Sequence, residues 1–163
     1  MADIRRLEVG DAAVYQALRL EALERHPEAF GSSVEDERLS TTTAVSDRLA
    51  RSVVFGAFDG GRLVGTAGWY RMAGAKTAHR GKLWGVYVTA SARGNGLAQA
   101  LVERVLDDAR GQVEQLHLSV TAGDDGSLRL YERLGFRSYG TEPRALKVDG
   151  AYFDELLMVR ELA

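Results

Sequence analysis

The sequence predicts an α/β fold in which helices cover both faces of a mixed, mostly antiparallel sheet of six to seven strands. The first observation is an early hairpin, because two runs rich in strand formers, residues 53–59 and 62–71, are joined by Gly60-Gly61. The second is a strand–loop–helix stretch over residues 82–109, whose helix can cross over to a later strand. Hairpins followed by crossover helices are typical of a mixed sheet.

Length and composition fit one globular domain over residues 1–163. The chain is 45% hydrophobic and 27% charged, and it has no cysteine for disulfides, thiolate metal sites or a thiol nucleophile. A formal net charge of -2 argues against a nucleic-acid partner. No apolar run approaches the roughly 20 residues that span a bilayer, and residues 1–6 lack a signal-peptide core. We therefore expect a cytoplasmic protein with no membrane partner.

The N-terminal third predicts one strand followed by helices. Ile4–Val9 is the strand, and Asp11 is placed to cap an amphipathic helix. That helix ends near His26-Pro27, because proline disfavours helical geometry in the residue before it. Its charged end is interpreted as an exposed face that carries Glu21, Glu24 and Arg25. Two further helical segments are expected at Val34–Leu39 and from a cap at Thr43 to about Arg51.

The central part contains the strongest helix signal. Lys82–Thr89 predicts a strand, with Trp84, Val86 and Val88 on one of its faces. The following helix has two adjacent apolar rows at i,i+4 spacing, formed by Leu97, Leu101 and Val105 and by Ala98, Val102, Leu106 and Ala109.

The C-terminal part predicts three strands and one short helix. Gln115–Val120 alternates apolar and polar residues, as a strand does. A helix over Ser127–Leu134 is ended by Gly135, which suits the left-handed geometry of a helix terminus. Two closing strands are expected, Phe136–Gly140 and Phe153–Val159.

The loop Arg93-Gly94-Asn95-Gly96-Leu97-Ala98 lies where the central strand passes into the strongest helix. The first amides of a helix have no partner within it, and together with the helix dipole they favour an anion. Gly94 and Gly96 have no Cβ to block a close approach to the backbone, and Arg93 adds positive charge. The pattern therefore predicts a phosphate or diphosphate site.

Two familiar nucleotide motifs fit this loop poorly. A Walker A loop needs lysine followed by serine or threonine after its second glycine, and a dinucleotide loop needs three spaced glycines. The chain has neither arrangement here. A glycine-rich strand-to-helix turn that binds no ligand stays open as an interpretation of the loop alone.

Two motifs together resemble the GNAT family of N-acetyltransferases. Arg93-x-x-Gly96-x-Ala98, after Val86-Tyr87-Val88, is similar to its acetyl-CoA motif. Leu130-Tyr131-Glu132-Arg133-Leu134-Gly135-Phe136 resembles its later helix-to-strand motif. Residues 26–33 and 148–155 also look like stretches found in some members, so that the resemblance covers nearly the whole chain.

The resemblance implies a cofactor site and a catalytic acid. The amides of Arg93, Gly94, Asn95, Gly96, Leu97 and Ala98 would hold the CoA pyrophosphate. The backbone of Val86, Tyr87 and Val88 would pair with the pantetheine arm, since family members splay this central strand from its neighbour. Tyr131 would protonate the departing CoA sulfur.

The chain departs from the family pattern at two positions. Asp124 stands where members often have asparagine, so it can accept but not donate a hydrogen bond to the cofactor. Lys82 stands where some members have a catalytic glutamate, and lysine is a poor base. The general base is therefore not identified by motif; His79, Glu24 and Glu28 are weak candidates. The three histidines show no metal-ligand spacing, so we expect no metal.

These observations predict an enzyme that transfers the acetyl group of acetyl-CoA to a primary amine by direct attack in a ternary complex. The acceptor is a small-molecule amine or a protein or peptide amine, and the resemblance allows a homodimer. One alternative is a non-catalytic acyl-CoA-binding sensor or interaction domain, which the missing motif-encoded base keeps open. Another is a nucleotide-phosphate binder.

Overall fold

In the computed structural model, which describes residues 2–163, seven strands form one continuous sheet in the order β1-β2-β3-β4-β5-β7-β6. The strands are β1 Asp3–Arg6, β2 Val53–Asp59, β3 Arg62–Arg71, β4 Arg80–Val88, β5 Gln115–Thr121, β6 Arg137–Val148 and β7 Ala151–Glu161. Only β4 and β5 run parallel; every other neighbouring pair is antiparallel. The mixed, mostly antiparallel sheet is therefore confirmed.

Five α-helices accompany the sheet. They are α1 Ala12–Arg25, α2 Val34–Leu39, α3 Thr42–Arg51, α4 Leu97–Ala109 and α5 Asp125–Arg133. None of the helices in residues 2–163 combines the length and apolar character needed to cross a bilayer.

Helices cover both faces of the sheet, as predicted. On one face, α1 and α3 enclose a core that includes Leu7, Tyr15, Leu18, Val45, Leu49 and Tyr87. On the other face, α4 and α5 pack over a larger core that includes Leu101, Val102, Val105, Leu116, Leu118 and Met158. Leu101, Val102 and Val105 have 0% exposure, and each such burial contributes about 1.5–3 kcal/mol. The two apolar rows predicted for α4 therefore hold this helix against the sheet.

The early hairpin has the predicted turn. Gly60 and Gly61 adopt φ angles of 57° and 80° between β2 and β3. Positive φ at both central residues is the geometry that matches the twist of a two-stranded hairpin. Glycine adopts this conformation without steric cost, so the pair suits both positions of the turn.

The predicted common face of Trp84, Val86 and Val88 is wrong. The register between β3 and β4 shifts after Trp84, so that Ala67 of β3 faces both Gly85 and Val86. Gly85 takes a φ of 63° in this bulge. An extra residue in a strand moves the side chains after it to the opposite face of the sheet. Val86 and Val88 therefore pack on the α4 side, whereas Trp84 packs on the α1 side.

The closing strands are longer than predicted. β6 and β7 form an extended hairpin, and its turn at Asp149-Gly150 has φ angles of 49° and 80°. The Asp-Gly pair is a strong hairpin signal, but Pro143 and a bulge between Glu142 and Leu146 hide the strand pattern before it. The α3 cap is also corrected: the Thr41 hydroxyl, not that of Thr43, accepts the hydrogen bond from Ala44 N at 3.1 Å.

Candidate active site

A cleft opens at the centre of the sheet because β4 and β5 separate. Their pairing covers only the start of each strand and ends at Lys82 and His117. Beyond that point, residues 83–86 and 118–121 line opposite sides of the opening. One edge of β4 is thus left without a neighbouring strand, and its backbone can pair with an extended ligand. The splayed central pair predicted through the resemblance is confirmed.

The loop at the start of α4 offers a run of unpaired amides. Ala100 N is the first amide of α4 to donate within the helix, to Gly96 O at 3.0 Å. Among residues 2–163, no acceptor lies within hydrogen-bond range of the six amides from Gly94 to Gln99. The amide of Arg93, predicted to belong to this run, instead donates to Ala90 O at 3.3 Å. Gly94 and Gly96 have φ angles of 86° and 71°, and a Cβ on either would meet nothing within 4 Å. The loop is therefore an open concave surface of donors that suits a diphosphate.

The side chain of Arg93 turns away from this concave surface. Its Nε donates to Val88 O at 2.9 Å, and one terminal nitrogen lies 3.2 Å from His26 Nε2. The guanidinium also lies over the Tyr87 ring, 5.7 Å from its centroid. Arg93 therefore fastens the loop to the end of β4 and to the end of α1, and it still leaves a positive charge beside the unpaired amides.

Glu21 connects α1 to the end of β4, so its predicted place on an exposed face is wrong. Its Oε2 accepts from the Tyr87 hydroxyl and from the Thr89 hydroxyl, each at 2.7 Å. Partial burial opposes ionisation, but these hydrogen bonds hold the pKa of Glu21 below its ordinary value. Burial, and then the Glu21 carboxylate, raise the pKa of Tyr87. The Tyr87 side chain is therefore structural, and only its backbone borders the open edge of β4.

Tyr131 reaches the cleft from α5. It is 8% exposed, lines the opening, and packs edge-on against Phe136 at a ring distance of 5.9 Å. No side chain or backbone group of residues 2–163 forms a hydrogen bond with its hydroxyl. Burial, with a smaller effect of the Asp124 carboxylate, raises the pKa of Tyr131 well above its ordinary value. The phenol therefore stays protonated at neutral pH.

Asp124 has a structural role that the sequence analysis did not assign. Its Oδ1 accepts from Ser127 N at 3.1 Å, which makes it the N-cap of α5. It also lines the cleft near Tyr131. The capping bond uses one carboxylate oxygen, so the position is compatible with a cofactor contact through the other.

The structure adds a carboxylate that sequence reasoning missed. Leu116, Leu118 and Val120 point towards α4, so Thr121 points to the opposite face of β5. Glu155 of β7 pairs with Thr121, which lines the cleft. Burial, and then the nearby Glu142 carboxylate, raise the pKa of Glu155, while Lys82 lowers it. A half-buried carboxylate with a raised pKa beside the opening is suited to accept a proton.

No local signal marks Glu155 in the sequence, because its position depends on the register of β7 against β5. The weak base candidates have the following contacts: His79 O accepts from Glu114 N, and Glu24 forms an exposed ion pair with Arg38. Glu28 contributes its backbone oxygen to Thr121. Within residues 2–163, no three histidine, aspartate or glutamate side chains are grouped as metal ligands would be.

Solved structures of acetyltransferases share this fold. A GNAT-family acetyltransferase from Streptococcus pneumoniae superposes with a TM-score of 0.89 at 22% identity and covers 100% of both chains. YncA, a putative acetyltransferase from Salmonella typhimurium determined with its cofactor acetyl-CoA, has a TM-score of 0.85 at 22% identity, with 100% of this chain and 95% of that one covered. A ribosomal-protein-alanine N-acetyltransferase from Brucella melitensis has a TM-score of 0.82 at 24% identity and covers 98% and 99%.

Among curated proteins, none matches the sequence significantly. A family model does match: the one described as the acetyltransferase (GNAT) family aligns with residues 12–136. This range contains the amide-lined loop, the splayed strands and Tyr131. The chain therefore belongs to the GNAT family of acetyltransferases.

Proposed function

We propose that the protein transfers the acetyl group of acetyl-CoA to a primary amine, by direct attack of the amine while both substrates are bound. The observation that supports the proposal most is that two groups of backbone amides without partners lie next to each other. The free edge of β4 leads directly into the six unpaired amides of residues 94–99. An extended arm that ends in a diphosphate matches this arrangement in both shape and charge.

The amides of residues 94–99 would hold the pyrophosphate, and the backbone of Val86, Tyr87 and Val88 would pair with the pantetheine arm. Burial of α4 keeps these donors in place before a ligand arrives. Asp124 is retained as a contact for the arm. The acetyl group would then lie in the cleft between residues 83–86 and 118–121, close to Tyr131.

The amine must lose a proton before it can attack. An amine of ordinary pKa is almost fully protonated at pH 7, and making it neutral costs about 4.6 kcal/mol. Glu155, directly or through a water molecule, is the group that accepts this proton. The raised pKa of Glu155 brings the carboxylate closer to the operating pH of a general base.

The remaining steps use the bulge and Tyr131. A backbone amide near Gly85 can polarise the acetyl carbonyl, as an oxyanion donor does. The amine nitrogen forms a bond to the carbonyl carbon, the bond from carbon to sulfur breaks, and the nitrogen, which is positively charged after the attack, releases its second proton to solvent to leave the neutral amide. Tyr131 donates its proton to the departing sulfur and later recovers one from solvent.

A thiol-release assay tests the proposal against the non-catalytic alternative. The parent protein is incubated with acetyl-CoA and a broad amine panel, and free CoA thiol and acetylated amine are both quantified. We expect the two products in equal amounts with at least one amine. Stabilisation by acetyl-CoA without thiol release from any amine would instead support an acyl-CoA-binding domain, and stabilisation by ATP but not by CoA would support a nucleotide binder.

A further inference from the structure

Arg19 of α1 is a buried cation without an anionic partner. It is 8% exposed, and its Nε is sealed from solvent without a hydrogen-bond partner. No acceptor in residues 2–163 forms a hydrogen bond or a salt bridge with its side chain. Arginine is almost never buried in this state, because removing a charge from water is costly unless another charge compensates it.

The neighbouring carboxylate is already neutralised. Glu37, 4% exposed, binds Arg48 through two bonds of 3.2 and 3.1 Å. Glu37 and Arg48 are the charged side chains whose fields reach Arg19, along with the neutral phenol of Tyr15. One carboxylate and two guanidiniums leave this buried group of residues with one excess positive charge.

The excess charge lies directly behind one wall of the cleft. The Arg19 guanidinium lies 5.2 Å from the Phe30 ring centroid and 5.5 Å from the Trp84 ring centroid. Its Nη1 is 3.9 Å from the position that a Cβ would take on Gly85. Phe30, Trp84 and Gly85 all line the cleft where β4 and β5 separate.

The two rings position the guanidinium but do not neutralise it. A cation–π contact contributes about 0.5–2 kcal/mol, less than the penalty of burying an unpaired ion. The missing group is an anion that comes with a ligand. A carboxylate is well matched, because the guanidinium fork can donate two parallel hydrogen bonds to it.

The pyrophosphate of the cofactor is not the missing group, because the unpaired amides that suit it lie at the start of α4, beyond the end of β4. Arg19 is instead beside the bulge in the middle of β4, on the sheet face that carries α1. A ligand that reaches Arg19 therefore enters from the acceptor side of the cleft.

We propose that the acceptor amine carries a carboxylate, as an amino acid does, and that Arg19 binds this carboxylate at the wall formed by Phe30, Trp84 and Gly85. The inference rests on the proposed acetyl transfer to an amine. Arg19 would orient the acceptor so that its amine faces the acetyl group, and it would reject amines that leave the guanidinium unpaired.

The test compares amino acids with their carboxamides and with the corresponding decarboxylated amines. For each, kcat/KM with acetyl-CoA is corrected for the fraction of neutral amine at the assay pH. For the amino acid that the enzyme prefers, we expect kcat/KM to be at least about tenfold higher than for its carboxamide or its decarboxylated amine. Arg19→Met should reduce that preference to less than about threefold, and Arg19→Lys should retain part of it.

Arg110→Gln is the matched control, because Arg110 is an exposed arginine at the end of α4; it should leave the preference unchanged. A purely structural Arg19 would lower kcat/KM for all acceptors equally, so the ratio between carboxylate and carboxamide is the decisive quantity. If the parent shows no carboxylate preference, or if the preference survives in folded Arg19→Met, the inference is overturned. If Arg19→Met does not fold, the same ratio in Arg19→Lys decides.

A second measurement separates this inference from the proposed function. Thermal stability is recorded with each amino acid and each carboxamide in the presence of CoA. If amino acids stabilise the parent but their carboxamides do not, and Arg19→Met loses this effect, the Arg19 site is supported even when no amine is acetylated. Absence of acetylation would then reject only the transfer reaction. Equal stabilisation by carboxylate and carboxamide would overturn the Arg19 site, whatever the turnover assay gives.

Discussion

The two sides of the cleft are built in different ways. The proposed cofactor side consists of backbone amides from one continuous stretch, residues 94–99, held by the buried rows of α4. The proposed acceptor side consists of side chains from separate elements, with Arg19 on α1, Trp84 on β4 and Glu155 on β7. A local backbone site depends on few side chains, whereas an assembled site depends on each of its members.

This difference has a functional consequence. The cofactor side can keep the same ligand through many sequence changes, because amides are present whatever the side chains are. The acceptor side changes its chemistry when one contributing residue changes. We therefore expect single substitutions to alter catalysis and acceptor choice more on the assembled side than they alter cofactor affinity on the backbone side.

The largest effect is expected for Glu155→Gln, which keeps the shape of the side chain but removes the base. We expect kcat to fall by about 100- to 1,000-fold at pH 7, within the range that general bases contribute. Since burial raises the pKa of Glu155, parent kcat/KM should fall as pH decreases through that raised pKa. The variant should lose this acid limb and recover activity as pH rises, because the amine then loses its own proton. Glu142→Gln on the neighbouring strand should keep activity but move the acid limb to lower pH, because the Glu142 carboxylate helps to raise the pKa of Glu155. If Glu155→Gln keeps full activity at pH 7, the base is another group.

The next effect is expected for Tyr131→Phe, which keeps the ring packed on Phe136 and removes the proton donor. Thiols ionise near pH 8.5, so the leaving group needs only modest help. We expect kcat to fall by about 10- to 300-fold, with less than about a fivefold change in the KM for acetyl-CoA. Steady-state kinetics measure kcat and KM, and a melting curve shows whether the packing on Phe136 survives. A rise in KM with unchanged kcat would show that the hydroxyl binds cofactor and is not the acid.

A smaller effect is expected for Asn95→Asp, an isosteric change in the exposed loop beside the unpaired amides. The added negative charge favours the start of α4 in the free protein but repels a diphosphate. We expect CoA affinity to fall by about 5- to 20-fold at low salt, and by less at high salt because ions screen the repulsion. Asn95→Ser is the neutral control. Isothermal titration with CoA measures the change, and equal affinity at low salt would contradict the pyrophosphate assignment.

The smallest effect is expected at Asp124, where capping and cofactor binding can be separated. Asp124→Asn keeps a good N-cap and should change the KM for acetyl-CoA by less than about threefold. Asp124→Ala removes the cap and should lower the free energy of unfolding by about 1 kcal/mol. Chemical denaturation and steady-state kinetics on both variants supply the comparison. Unchanged cofactor KM in both would leave Asp124 a capping residue alone.

Much of the cofactor side could be predicted from the sequence because its determinants are local. The rows of α4, the glycines at 94 and 96 and the helix end at Gly135 all express short-range geometry, and the structure has each of them. Family resemblance, and not periodicity, pointed to the separation of β4 and β5 and to Tyr131 as the acid. The structure confirms that separation, and the role of Tyr131 stays a prediction.

The acceptor side could not be predicted, and three particular residues show why. Glu21 has the appearance of an exposed helix residue, yet it binds Tyr87 and Thr89, which are 66 and 68 positions later in the chain. Trp84 is predicted to share a face with Val86 and Val88, but it lies on the opposite face because the bulge at Gly85 inserts an extra residue. Glu155 is placed opposite Thr121, which lines the cleft, only by the register of β7.

By itself, the sequence determined the elements whose signals repeat within a few residues: the hairpin at Gly60-Gly61, the helix α4 and the open loop before it. The tertiary structure alone decided which charges meet. Glu37 forms its ion pair with Arg48, so Arg19 has no anionic partner among the described residues. This pairing depends on how α1, α2 and α3 pack together. The physical reason is that helix and turn geometry is set by neighbouring residues, whereas the pairing of buried charges is set by long-range packing that leaves no periodic trace in the chain.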